Sequence, residues 1–246
     1  MNETPTEVQA DTVRKAERFS QGSQFEYPVA ATLTKDQVSA CIADTGIIPS
    51  VSEVSEEDAL FLAEALLGAG IPIIEISMNL PDALDIVAHL GKHAPTVIVG
   101  VGNVRNAALA RKCLDAGAKF LSTDGLIPGV VEIAAKEKYV AILGALTLTE
   151  IIAAWDAGAD FVRVMPCSAV GGHNYIRTLR AAIPQARLIA AGGVNQLTAL
   201  NYMIAGSAAL GLGKELIPTE AIELRQGRRI QELARRFLTA VDNGRA

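Results

Sequence analysis

Aromatic residues and cysteines are both scarce in this sequence. Of its 246 residues, 4% are Phe, Trp or Tyr, and three are cysteines, at positions 41, 113 and 167. The cysteines are unevenly spaced and form no CxxC or Cys/His pattern, so they indicate neither a disulfide scaffold nor a zinc site. Such cysteine usage is typical of the reducing cytoplasm, where we expect this protein to work.

Long apolar runs and dense basic runs are also missing. No stretch approaches the roughly eighteen apolar residues of a transmembrane helix, and residues 1–27 lack the apolar core of a signal peptide. The formal net charge is −5 and the pI is about 5.3, which argues against a nucleic-acid partner. The basic stretch 225–237 has helical spacing and is predicted to be a solvated helix face. We therefore expect no nucleic-acid partner and no membrane partner.

Apolar residues, in contrast, are abundant and regularly placed. Half of the chain is hydrophobic, which is the composition of an α/β protein with a large core. Eight short apolar runs alternate with helical patterns, and each run is predicted to be a strand. In chain order they are GIIPSV, IPIIEIS, TVIVGVG, KFLST, VAILGAL, FVRVMP, RLIAAGG and AALGLG.

This alternation predicts a (β/α)8 TIM barrel with a short N-terminal extension. Continuous apolar strands separated by helices indicate a parallel sheet that is covered on both faces. Eight such units in about 200 residues fit a compact barrel over residues 35–246. A doubly wound open sheet is the alternative, but it does not account for eight near-regular units.

Glycines mark the helix ends in this repeat. Gly70, Gly117, Gly158 and Gly206 each follow a helical pattern and precede an apolar run. Glycine adopts the left-handed conformation that commonly ends a helix, so each is predicted to be a C-terminal cap. Ser55, followed by three acidic residues, is predicted to be the N-cap of a helix.

Residues 1–34 differ from the rest of the chain because they are polar and rich in Gln, Ser and Thr. Residues 4–19 can form a helix. We interpret residues 1–34 as an N-terminal extension, helical or partly disordered, and not as a second domain.

Two charged residues interrupt otherwise apolar strands. Glu75 lies in IPIIEIS and Arg163 lies in FVRVMP. A buried charge is costly unless it is paired, so the two are candidates for an ion pair inside the barrel. Active sites of such barrels lie at the carboxyl ends of the strands. Glu75 is therefore also a candidate acid or base, and Arg163 a candidate anion-binding group.

Glycine pairs at the ends of the last two strands predict an anion site. Glycines let backbone N–H groups approach a phosphate, and barrel phosphate sites usually lie after the seventh and eighth strands. Lys214 would add a full charge, although simple tight turns would give the same pattern. The residues of this candidate site are Gly192, Gly193, Gly211, Gly213 and Lys214.

Three further polar residues follow other strands. Asn79 follows the second predicted strand, Asp124 the fourth and Thr147 the fifth. No His, Cys and carboxylate spacing typical of a metal site stands out. We therefore predict no metal and no other cofactor.

In this pattern the chain resembles the class I 2-keto-3-deoxy-6-phosphogluconate / 4-hydroxy-2-oxoglutarate aldolases. The resemblance covers about residues 35–218, with its motifs in the same order and spacing. They are TGIIPSV, AGIPIIEIS, VIVGVGNV, DAGAKFLSTDG, FVRVMPCSAVGG, LIAAGGVN and ALGLGKELIP. The resemblance implies a homotrimeric (β/α)8 barrel that cleaves small 2-keto acids through a lysine Schiff base.

Some site residues match the family pattern. The resemblance assigns Glu75 as the general acid/base and places Thr147 near the substrate, so Thr147 is a third candidate catalytic residue beside Glu75 and Arg163. It makes the four glycines at positions 192, 193, 211 and 213 phosphate-binding turns.

Other positions depart from that pattern. Arg163 stands where the family has its Schiff-base lysine, and Asn79 where it has the arginine that binds the substrate carboxylate. Ala191 replaces a threonine, Lys214 a serine and Asp124 a proline. A guanidinium stays protonated and is a poor nucleophile, so an imine cannot form at position 163.

Three functions follow as alternatives. The first is a lyase-like enzyme that acts on a small 2-keto acid or phosphorylated sugar acid without an imine at the usual site. The second is a true class I aldolase in which Lys214 is a relocated imine lysine. The third is an inactive barrel that serves as a ligand-binding or assembly protein, because a fold alone does not decide function.

Overall fold

The computed structural model describes residues 27–246, which form a closed barrel of eight parallel strands in chain order. The last strand pairs with the first, so the open-sheet alternative is excluded. All eight predicted strands are confirmed. They are β1 (Ile47–Val51), β2 (Ile73–Ser77), β3 (Ile98–Gly102), β4 (Phe120–Ser122), β5 (Val140–Ala145), β6 (Phe161–Val164), β7 (Leu188–Ala191) and β8 (Ala209–Leu212).

Helices cover the outside of the barrel. None of those between residues 27 and 246 is long and apolar enough to cross a membrane. Their bounds are α1 (Lys35–Thr45), α2 (Glu56–Gly68), α3 (Ala83–His93), α4 (Ala107–Asp115), α5 (Pro128–Lys136), α6 (Leu148–Asp156), α7 (His173–Ala182), α8 (Ala199–Ile204), α9 (Thr219–Glu223) and α10 (Gly227–Arg245). Two short 3-10 helices span Ala30–Thr32 and Cys167–Val170.

The predicted helix signals are present in the structure. The four repeat glycines at 70, 117, 158 and 206 all have φ values between 96° and 106°, a range that favours glycine. Ser55 caps α2, since its side chain accepts from the Asp58 N–H while the Asp58 carboxylate accepts from the Ser55 N–H. The basic stretch 225–237 lies largely on α10, as its spacing predicts.

Residues 27–34 pack on the barrel. The Ala30 N–H donates to the Pro95 carbonyl, and the Lys119 ammonium donates to the Ala31 carbonyl. The predicted helix at residues 4–19 lies outside the described residues. The division at residue 34 therefore stays a prediction.

The interior of the barrel is filled by large side chains near the amino ends of the strands. Phe120 begins β4 and Phe161 begins β6, and both are fully buried. The ring of Phe120 lies over Gly100 of β3, where an added Cβ would come within 2.1 Å of it. Glycine at position 100 therefore makes room for the aromatic ring.

Substitution of Gly100 tests this packing. We expect Gly100→Ala to lower the free energy of unfolding by about 1–3 kcal/mol, because the new methyl group overpacks the Phe120 ring. Urea denaturation monitored by circular dichroism measures the change.

Gly91→Ala is the matched control. Gly91 lies within α3 with nothing near an added Cβ, so we expect a gain of about 0.5–1 kcal/mol from the higher helix propensity of alanine. Equal effects of the two substitutions would contradict the packing argument.

Candidate functional site

A buried ion pair spans the bore of the barrel. Glu75 lies on β2 and Arg163 on β6, which are opposite each other in a ring of eight strands. Arg163 Nη1 donates to Glu75 Oε1 at 2.8 Å and Nη2 to Oε2 at 2.5 Å. Glu75 is 3% exposed and Arg163 is 8% exposed. The pair predicted as one possibility from the sequence is therefore present, in bidentate geometry.

Glycines on the neighbouring strands leave room for this pair. In the strand register, Glu75 stands beside Gly100 of β3 and Arg163 beside Gly144 of β5. The Glu75 carboxylate also lies across Gly102, where an added Cβ would come within 2.8 Å of Oε1. A larger residue at position 102 would therefore compete with the Glu75 side chain for the bore.

Nearby carboxylates stabilise the charged form of Arg163. Burial lowers the pKa of Arg163, but the carboxylates of Glu75 and Asp124 outweigh this effect and raise it above its usual value. The Ser50 hydroxyl also donates to Glu75 Oε1 at 3.0 Å. The Arg163 Nε–H is buried and has no hydrogen-bond partner among the described residues. This part of the site is therefore a fixed cation with unused donors.

A polar chain runs from β2 to the turn after β4. Ser77 Oγ donates to Asn103 Oδ1 at 2.6 Å, and Asn103 Nδ2 donates to both Asp124 oxygens, at 2.9 and 2.7 Å. Asn103 has a φ of 60°, a left-handed conformation that asparagine tolerates better than most residues. Gly144 lets the Asp124 backbone approach β5, because an added Cβ would come within 2.3 Å of its carbonyl carbon. The chain thus holds Asp124 in a defined place near Arg163.

Asn79 contacts an arginine that follows the next strand. Arg105 Nη2 donates to Asn79 Oδ1 at 2.7 Å, and both residues are exposed. The Asn79 N–H donates to Ser77 Oγ at 3.2 Å, which joins this contact to the polar chain. The mouth of the barrel therefore carries a second guanidinium, Arg105.

Thr147 serves as the N-cap of α6. Its hydroxyl accepts from the Glu150 N–H, and the Glu150 carboxylate accepts from the Thr147 N–H at 2.7 Å. Its hydroxyl also donates to Glu150 Oε2 at 2.9 Å. A catalytic role for Thr147 stays a prediction, and it would have to coexist with this capping box.

The predicted anion-binding turns differ from each other in the structure. Gly192 and Gly193, after β7, have φ values of 75° and 86°. An added Cβ at Gly193 would come within 2.1 Å of Ser168 Oγ, so this turn packs tightly against the segment after β6. Gly211 lies within β8, and the carbonyl of Gly213 accepts from two N–H groups of the turn that follows.

Lys214 lies at the rim of the barrel. Its side chain is 70% exposed, and its ammonium lies 3.2 Å from the carboxylate of Glu53, which is also largely exposed. The helices after β7 and β8 begin several residues beyond the turns, at Ala199 and Thr219. An anion bound in this region would therefore be held by backbone N–H groups and by Lys214.

Within residues 27–246 no group of three or more His, Cys, Asp or Glu side chains could hold a metal ion. The polar groups at the mouth instead form hydrogen bonds and ion pairs with one another, as described above.

Ser77, Asn103 and Arg105 belong to this network but are not among the site residues predicted from the sequence. All three lie at carboxyl ends of strands, which is the signal that could have identified them. Many side chains lie at strand ends, and the register between β2, β3 and β4 decides which of them join one network. A single sequence does not contain that register.

A family model and individual known proteins both match the sequence of this chain. The family model described as "Aldolase: KDPG and KHG aldolase" matches residues 9–233. The KHG/KDPG aldolase of Escherichia coli K12 is 28% identical over 195 residues, which cover 79% of this chain and 92% of that protein. A probable 2-dehydro-3-deoxy-6-phosphogalactonate aldolase of Rhizobium meliloti is 30% identical over 172 residues, 69% of this chain and 81% of that protein.

Solved structures agree with the sequence matches. KDPG aldolase of Legionella pneumophila, with pyruvate captured at low pH as a covalent carbinolamine intermediate, has a TM-score of 0.75 at 27% identity. The match covers 81% of this chain and 97% of that one. A 3-hexulose-6-phosphate synthase of Salmonella typhimurium shares the fold, with a TM-score of 0.63 at 16% identity, covering 77% of this chain and 98% of that one.

The energetics of the ion pair are testable by a double-mutant cycle. We expect Glu75→Leu and Arg163→Met each to cost about 3–5 kcal/mol, because each leaves one buried charge without its partner. The double variant should regain most of that loss, since a buried pair replaced by apolar residues is often nearly neutral. Chemical denaturation of the four proteins measures the coupling.

The exposed pair Lys214–Glu53 is the control for this cycle. Removing either of its members should change the free energy of unfolding by less than about 1 kcal/mol. Additive losses in the Glu75 and Arg163 variants would mean that the two side chains are not coupled in solution.

Proposed function

The chain belongs to the KDPG and KHG aldolase family, and from this premise we propose that it is a carbon–carbon lyase-like enzyme. Its proposed substrate is a small 2-keto acid or phosphorylated sugar acid, and the reaction forms an enolate without an imine at position 163. The observation that carries the proposal is the Arg163 guanidinium, which is bound to Glu75 in the centre of the bore.

The arginine excludes one mechanism and favours another. A guanidinium is always charged in a protein and its nitrogens are poor nucleophiles, so position 163 does not form a Schiff base. The same fixed charge, held in a water-poor bore, stabilises negative charge that develops on a substrate oxygen. We therefore assign Arg163 to electrostatic stabilisation of an enolate.

Arg163 has enough N–H donors both to bind Glu75 and to contact a substrate oxygen. A guanidinium carries five N–H groups, and Glu75 uses two of them in the structure. In the proposed complex a remaining Nη–H group contacts an oxygen of the substrate, while the Nε–H is buried and has no partner among residues 27–246. Arg163 can thus keep Glu75 in place while it contacts the reacting group.

In the proposed reaction, Glu75 moves the proton. For a 4-hydroxy-2-keto acid, the proton of the C4 hydroxyl passes to the Glu75 carboxylate and the C3–C4 bond breaks. The aldehyde leaves, and the electron pair of that bond becomes the enolate of the 2-keto acid, whose oxygen accepts from Arg163. The proton then passes from Glu75 to C3, which gives the keto acid and restores the carboxylate.

A true class I aldolase with Lys214 as the imine lysine is the first alternative. Lys214 follows β8 at the mouth, so a substrate carbonyl could reach it. Its side chain is largely in solvent and pairs with Glu53, however, so it lacks the burial that activates many imine lysines. This setting favours an anion-binding role for Lys214.

An inactive binding or assembly barrel is the second alternative. It is supported by the ion pair itself, because both oxygens of Glu75 already accept hydrogen bonds from Arg163. A pair of this kind could serve only to fill the bore. A ligand-induced rise in melting temperature that is lost when Arg163 is replaced would argue against a purely structural role for the pair.

The remaining site residues complete the proposal. We assign Asn79 and Asp124 to the substrate side of the mouth, and Thr147 to the same rim. The glycine turn at 192–193 and the end of β8 at Gly211 and Gly213, with Lys214, would bind a phosphate or second anionic group. We also propose a homotrimer, as the family resemblance implies.

Reductive trapping tests the absence of an imine. We expect wild-type protein incubated with pyruvate and borohydride to show no mass increase, because Arg163 cannot form a Schiff base. Arg163→Lys places an amine beside Glu75 and should gain one reduced pyruvate adduct at position 163. Intact mass and peptide mapping by mass spectrometry measure both results.

Arg163→Gln is the control without an amine and should remain unmodified. A wild-type adduct that maps to Lys214 and disappears in Lys214→Met would replace the proposal with the first alternative.

Ligand binding separates a working site from a barrel whose ion pair is only structural. We expect pyruvate, other 2-keto acids or phosphorylated sugar acids to raise the melting temperature of wild-type protein, since binding to the native state alone stabilises it. Arg163→Ala should lose that shift, because the fixed cation is gone. Failure of every compound to shift the wild type would favour the inactive barrel.

A further inference from the structure

Arg105 is a guanidinium at the mouth of the barrel that forms no ion pair with a carboxylate among residues 27–246. It follows β3 and is exposed, and its Nη2 donates to the side-chain oxygen of Asn79. None of the ion pairs between residues 27 and 246 includes it. Four of its five N–H groups are not used by this contact. Arg163 differs, since it is buried and its guanidinium is paired with the Glu75 carboxylate.

The contact with Asn79 fixes the direction of Arg105. Asn79 accepts through its amide oxygen, while its own N–H donates to Ser77 Oγ. Ser77 in turn donates to Asn103, which donates to Asp124. An arginine side chain loses conformational entropy when it binds an anion. A neutral acceptor such as the Asn79 amide, which already orders the side chain, lowers this entropic cost and leaves the positive charge unpaired.

An anion at this side of the mouth needs such a cation. β3 lies between β2, which carries the Glu75 carboxylate, and β4, which the Asp124 carboxylate follows. Like charges at close range repel, so a substrate carboxylate next to these groups requires a positive group of its own. Arg105 is placed to supply it, and its planar fork suits a carboxylate.

The position of Arg105 also orients the substrate. β3 stands opposite β7 in the ring of eight strands, and the glycine turn at 192–193 follows β7. A substrate with an anionic group at each end would therefore extend across the mouth, above the Glu75–Arg163 pair. Its carboxylate would lie on the β3 side, and its other anionic group on the β7 side.

We infer that Arg105 is the residue that binds the substrate carboxylate and that Asn79 is its positioning residue. The inference rests on the proposed function, because it assumes that a keto acid binds at this mouth. Arg105 and Asn79, which follow two adjacent strands, would together set the preference of the site for a carboxylate.

Calorimetric titration with pyruvate and with its neutral amide, pyruvamide, tests the inference. Wild-type protein should bind pyruvate more tightly than pyruvamide. Arg105→Gln should weaken pyruvate binding roughly 10- to 100-fold, the usual effect of losing a charged hydrogen bond. Its affinity for pyruvamide should change little, because the amide carries no charge for Arg105 to recognise.

A relocation variant separates a binding role from a structural one. Asn79→Arg/Arg105→Asn moves the guanidinium to the neighbouring strand end and keeps the amide beside it, so it should restore most of the preference for pyruvate. Asn79→Ala should weaken pyruvate binding less than Arg105→Gln does. Arg236→Gln, which changes an exposed arginine on α10, is the matched control and should bind as the wild type does.

The outcomes distinguish this inference from the proposed function. If wild-type protein binds pyruvate and Arg105→Gln binds it equally well, the role of Arg105 is wrong while the proposed function stands. If wild-type protein binds no 2-keto acid, the proposed function fails and the inference fails with it.

Discussion

The bidentate pair between Glu75 and Arg163 is the contact on which the site depends. Each charge, taken out of water alone, would cost several kcal/mol, and only good geometry with additional hydrogen bonds offsets that cost. The structure supplies both, through two donors from Arg163 and a third from Ser50. The two strands that carry the pair must therefore stay opposite each other, and the closed barrel achieves this.

The distribution of side-chain size follows from this constraint. Phenylalanines fill the bore near the amino ends of the strands, whereas glycines surround the pair. Gly102 leaves space for the Glu75 carboxylate, and Gly144 leaves space for the backbone of Asp124. Small residues on β3 and β5 thus make room both for the ion pair and for the turn that carries Asp124.

Chemistry at this mouth depends on fixed charge. Arginine in the bore supplies a cation that does not titrate and does not form covalent bonds with a carbonyl. Asp124, held by Asn103, adds negative charge close to it. Arg105, held by the neutral amide of Asn79, supplies positive charge at the rim. Proposed substrate binding and proton transfer thus fall to different groups. The hydrogen-bonded chain from Ser77 to Asp124 supports the first, whereas Arg163 and Ser50 hold Glu75 for the second.

The sequence by itself determined the eight strands and the caps at Ser55 and at the repeat glycines, because these depend on local periodicity and backbone preference. It also identified Glu75 and Arg163, since a charge within an apolar strand is visible locally. Only the tertiary structure decided which strand-end side chains meet, as the contact between Asn103 and Asp124 shows. Glu75 and Arg163 are 88 residues apart in the chain, and their bidentate contact depends on barrel closure, strand register and rotamers, which no local pattern contains.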